Sequence, residues 1–168
     1  MTAKRDKSTA LRSKLLGDIG ESLAKQILDD RHFTNIKKLN DLLSRNFPFA
    51  DYYAERNGSK YVISVKARNN YEFAVVGKAR RLNSRYKLGA NCYQLAAEAE
   101  RKFGAKAAWL SISVQEHTYS AFFGLLSALN GSKGISMTAK ATSSYECVAD
   151  DEPHLYDYSL LKNDYLLS

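Results

Sequence analysis

The chain is short of cysteine, of proline and of long apolar runs. Its 168 residues hold two cysteines and two prolines. Cys92 and Cys147 are far apart and neither belongs to a CxxC pair. That argues against a disulfide framework and a zinc site, and it fits a reducing, cytoplasmic compartment. No apolar stretch is long enough to span a bilayer, so no membrane partner is expected. The polar start, Met1 to Thr9, has no apolar segment after it and is not a secretory signal. There is no Gly-rich phosphate loop and no Ser-His-Asp arrangement. His32, His117 and His154 lack metal-ligand spacing and read as structural. Without repeats, low-complexity tracts or a linker, the chain reads as one domain, large enough to bury a core.

Positive charge is in surplus. Twenty-five Lys and Arg oppose 18 Asp and Glu, a net charge of +7. A phosphate-rich polymer rewards such a surplus through counterion release. Eleven Tyr and seven Phe can serve a core or grip a nucleic acid.

Apolar periodicity predicts a helix from Ser13 to Asp30, with Leu16, Ile19, Leu23, Ile27 and Leu28 on one stripe and Glu21 near its edge. Residues 1–13 read as a basic tail or an irregular first turn. Phe33 to Leu39 fits a short extended segment. Phe47 to Ala54 reads as a strand, Asn57-Gly58 as a turn, and Tyr61 to Lys66 as the returning strand, ending on Lys66. Period two puts Val62, Ser64 and Lys66 on one face and Tyr61, Ile63 and Val65 on the other. A long basic connection over 67–88 leads to a helix from Ala90 to Phe103, closed by Gly104. Ala107–Val114 and Tyr119–Leu126 read as antiparallel strands. Gly131 and Gly134 mark a loop, and a short helix is expected near Leu160. The order implies an α/β fold with a mixed sheet flanked by helices.

Hydrolysing a phosphodiester calls for carboxylates that hold divalent ions and a lysine that orients water or stabilises developing charge. A tight hairpin brings Asp51 alongside Lys66, and Glu21 can enter from the first helix. Gly20-Glu21, Phe49-Ala50-Asp51 and Ile63-Ser64-Val65-Lys66-Ala67-Arg68 together resemble the PD-(D/E)xK, or restriction-endonuclease-like, nuclease superfamily. The resemblance covers residues 15–115, with 116–168 as additional strand and C-terminal elements. It implies an αβββαβ core, Mg²⁺ or Mn²⁺ as cofactor, DNA as partner, endonuclease activity and a homodimer. It also implies that Asp51 is the main metal ligand, that the Val65 carbonyl and Glu21 complete the shell, and that Lys66 contacts the attacking water or the scissile phosphate.

Ser64 stands where the superfamily pattern has an acid, and a hydroxyl is a poorer Mg²⁺ ligand than a carboxylate. Some members carry Ser-x-Lys with a glutamate supplied by the next helix. Glu98 is the first candidate for that acid, ahead of Glu72 and Glu100, and Gln94 is a minor candidate on the same helix. The alternative to an enzyme is a nuclease-fold module that binds nucleic acid without cutting it. Beyond Lys66, the stretch to residue 87 carries Arg68, Lys78, Arg80, Arg81, Arg85 and Lys87 against Glu72 alone, interleaved with Tyr71, Phe73 and Tyr86. Those are the ingredients of a phosphate-tracking surface. Arg80 and Asn83 are candidate base readers.

Overall fold

The structure, a computed structural model, describes residues 2–39, 49–72 and 81–156, with side chains for 14–39, 49–70 and 82–156. Helix α1 spans Thr2–Asp30. It is longer than its sequence signal, because the stretch through Ser13 continues the helix rather than forming a tail. Strands β1 (Thr34–Lys38), β2 (Tyr52–Arg56) and β3 (Ser59–Asn69) follow. Asn57 and Gly58 both take positive φ in the β2–β3 turn, as an Asn-Gly hairpin requires. Helix α2 spans Cys92–Phe103 and ends on Gly104 in the left-handed conformation. Strands β7 (Lys106–Val114) and β8 (Thr118–Leu125) complete the predicted series.

Several elements escaped the sequence pattern. The basic connection contains β4 (Tyr71–Glu72) and β5 (Arg81–Leu82), paired with each other, and β6 (Arg85–Lys87). β6 pairs with β9 (Gly134–Ser136). A one-turn helix α3 (Ala139–Thr142) precedes β10 (Glu146–Pro153), which joins the main sheet beside β8. The expected helix near Leu160, the Phe47-Pro48 entry to β2, and Lys78 and Arg80 lie outside the described residues.

The main sheet runs β1-β2-β3-β7-β8-β10. Only β3 and β7 are parallel, from Tyr61↔Lys106 to Asn69↔Val114. A parallel pair needs a crossover, and α2 supplies it. Alternation along β3 sorts the two faces. Ile63 and Ala67 pack with Leu16, Ile19, Leu23 and Ile27 of α1, while Val62 packs with Ala96 and Ala99 of α2. A third cluster, Tyr86, Trp109, Ile135 and Met137, extends the α2 face under β6 and β9.

Gly20 makes the close approach of α1 to β3 possible. A Cβ there would lie 2.6 Å from the Ala67 Cβ. Gly20→Val should therefore cost about 2 kcal/mol or more by overpacking and push the neighbouring Glu21 away from the sheet. A fall in the urea midpoint with unchanged slope would report it; an unchanged midpoint would mean the contact is not tight.

Candidate active site

The site forms because β3 outruns β2. Their last paired residues are Tyr52 and Ile63, yet β3 continues to Asn69. Lys66 is therefore inside the strand, not at its end as the sequence suggested. Asp51, immediately before β2, donates its own N–H to the Ile63 carbonyl (2.8 Å). Its Oδ2 accepts the Val65 N–H at 2.8 Å, where the next acceptor of the ladder would sit. The N–H and C=O of one strand residue face the same edge, so the Val65 carbonyl faces the gap that Asp51 occupies.

Glu21 arrives from α1. Its backbone carbonyl accepts the Tyr52 hydroxyl at 2.9 Å, and its Oε2 lies 3.0 Å from the Lys38 Nζ at the end of β1. The Leu39 N–H donates to the Asp51 carbonyl, tying this end of β1 to the same corner.

Electrostatics join these groups. Burial pushes the Asp51 carboxyl above its ordinary value, and the Val65 N–H and Lys66 pull it back. Glu21 adds to the rise, while Lys38 opposes it. Burial lowers the Lys66 ammonium; Asp51 counters that, Arg68 adds to the lowering, and Cys92 in its thiolate form counters it again. Asp51 thus lies in the field of both Lys66 and Glu21, which reach it from opposite faces of the sheet. Cys92, buried at the start of α2, is a neighbour of Lys66 that sequence reasoning missed. Its only signal was its place at the helix start after Gly89.

Other expected residues fall elsewhere. Glu98 is exposed and is not among the groups acting on Asp51 or Lys66, so the structure does not bring it to the site. Glu100 is at the far end of α2, accepting the Ala107 N–H. Gln94 is exposed on α2 and Glu72 lies in β4. Ser64 is 2% exposed, in register with Trp109, on the face filled by the Trp109 cluster. Among the described residues, no three His, Cys, Asp or Glu side chains form a group that could hold a metal ion.

The basic segment emerges beside this corner. Arg68 is half-buried, its guanidinium donating to the Ala67 carbonyl. The Asn70 N–H donates to Val114 O, and the Asn83 N–H to Asn70 O, closing the base of the β4–β5 hairpin. Arg81 lies on β5. Arg85 and Lys87 are exposed on either side of buried Tyr86.

No protein-family description and no curated protein matches the chain. Among solved structures it is similar to Hjc, a Holliday junction resolvase from the archaeal hyperthermophile Archaeoglobus fulgidus. The TM-score is 0.51 at 15% sequence identity, covering 77% of this chain and 91% of that one. The chain has a restriction-endonuclease-like fold. The αβββαβ order corresponds to α1, β1, β2, β3, α2 and β7, with the β4–β6 segment inserted before α2. No helix among the described residues is long and apolar enough to cross a membrane.

Proposed function

We propose that this chain is a Mg²⁺- or Mn²⁺-dependent endonuclease acting on DNA, with Asp51, Glu21 and Lys66 at its centre. The observation that carries this reading is the Asp51 carboxylate. It hangs on the Val65 amide at the overhanging edge of β3, and both burial and Glu21 disfavour its charge. A divalent cation, added to the two lysines that already act on Asp51, relieves such a corner. Hard divalent ions take oxygen ligands, and Asp51, Glu21 and the Val65 carbonyl offer three, from three elements. A bound ion would supply Lewis acidity at the phosphate and a lowered pKa for a water. Lys66 would hold that water or stabilise charge on the phosphate. Arg68, Arg85 and Lys87, with Lys78, Arg80 and Arg81 of the same segment, would track the backbone and Asn83 would meet a base. The likeness to a Holliday junction resolvase brings branched DNA forward as a substrate. A homodimer would present two such sites to the two strands.

The test is cleavage of plasmid and branched DNA with Mg²⁺ or Mn²⁺, comparing wild type with Asp51→Ala and Lys66→Ala. Wild-type cleavage that both substitutions remove supports the assignment; cleavage unchanged in both sinks it.

A second reading, a nuclease-fold module that binds nucleic acid without cutting, is favoured by one observation. Ser64 is buried and replaces the acid that would have been a third carboxylate. Salt-steep DNA binding with no Mn²⁺ uptake would select it.

A further inference from the structure

Lys38 closes β1 on the face of the sheet that α1 covers. Its neighbour Lys37 points the other way and lies over the Tyr53 ring. Lys38 is in register with Tyr52, whose hydroxyl fixes the Glu21 backbone. This leaves the Glu21 carboxylate 3.0 Å from the Lys38 ammonium, with both side chains about a third exposed, at 31% and 37%. Glu21, Lys38 and Tyr52 line an open cleft, together with Asp18 and Lys25. The same ammonium acts on Asp51. One tethered charge thus acts on both carboxylates, and the Lys38–Glu21 pair itself lies at an opening that solvent ions can reach.

We propose that Lys38 competes with the divalent ion for Glu21, so that loading the site means breaking the Lys38–Glu21 ion pair. This rests on the metal-dependent reading above and adds a regulator to it. Lys38 is a positioning residue: it holds the Glu21 carboxylate in place when the ion is absent and sets the ion concentration at which the site fills. The cleft, with its two carboxylates and two ammoniums, then serves as a threshold device.

The experiment is a calorimetric titration of the full chain with MnCl₂, without DNA. Lys38→Met should tighten Mn²⁺ binding by about five-fold, the upper range for releasing a partly exposed ion pair. Lys38→Gln should do the same, and guards against a misfolded Met variant. Lys38→Arg should stay near wild type. In a Glu21→Gln background, Lys38→Met should tighten binding less than it does beside Glu21, the remainder reporting the action of Lys38 on Asp51. Unchanged or weaker Mn²⁺ binding in both neutral variants overturns the role of Lys38 while leaving the metal site standing. No Mn²⁺ binding by any protein, wild type included, overturns both.

Discussion

Asp51→Asn is expected to lose DNA cleavage by on the order of 10³-fold and, without metal, to melt at a higher temperature than wild type at neutral pH. The two effects share a cause. Burial is the largest influence on Asp51 and raises its pKa from the ordinary 3.8. The folded chain therefore binds this proton more tightly than the unfolded chain. Its stability advantage is fully present below 3.8 and is lost as pH rises through the raised folded value. Asn keeps an acceptor for the Val65 N–H and carries no charge, so it escapes that loss. Mn²⁺ should restore stability to wild type by mass action and do little for the variant. Melting curves from acid to neutral pH, with and without Mn²⁺, check each part. A variant that melts lower than metal-free wild type at neutral pH would contradict the dominance of burial.

Lys66→Met is the second large effect: cleavage should fall about 10²-fold or more, while Mn²⁺ binding persists. Lys66 faces the α2 side of the sheet and Glu21 comes from the α1 side, so the lysine can go without taking an ion ligand with it. Burial lowers the Lys66 pKa from 10.5. The sign here is opposite to that of Asp51. The folded chain holds the Lys66 proton more loosely, so the charged lysine costs stability below its folded value, and this cost is relieved as pH rises toward 10.5. The stability gap between Lys66→Met and wild type should be widest near neutrality and close in alkali. Loss of Mn²⁺ binding in the variant would show that Lys66 shapes the ion site as well as the chemistry.

The approach of Asp51 to Lys66 was legible because a local hairpin brings the two together. Asn57-Gly58 fixes the register of β2 against β3, and register places Asp51 near Val65 and Lys66. The α/β class, the two helices and β7–β8 were legible for the same reason, since each is a strong periodic signal. What stayed hidden depends on contacts that periodicity does not encode. β10 has only Val148 and Ala149 buried in an otherwise polar strand, so it looked like loop. Lys38 is brought to Glu21 by β1–β2 pairing with an irregular register. Glu98 could have been set aside from sequence alone. Cys92, Ala96 and Ala99 at i, i+4 and i+7 define the buried face of α2, and Glu98 falls off it. Ser64 proves to be buried, in register with Trp109, which the alternation of β3 alone did not reveal.

The hairpin base between Asn70 and Asn83 has one more implication. The chain leaves the sheet at Asn70, anchored to Val114, and comes back at Asn83 to bond Asn70 itself. The Ser113 hydroxyl holds the Asn70 side chain at 3.0 Å. Departure and return share one clamp, so the two ends of the segment are fixed by the sheet itself. A change of length between those ends would leave the clamp and the sheet beneath in place. The firmness of the scaffold is thus separated from the segment it carries.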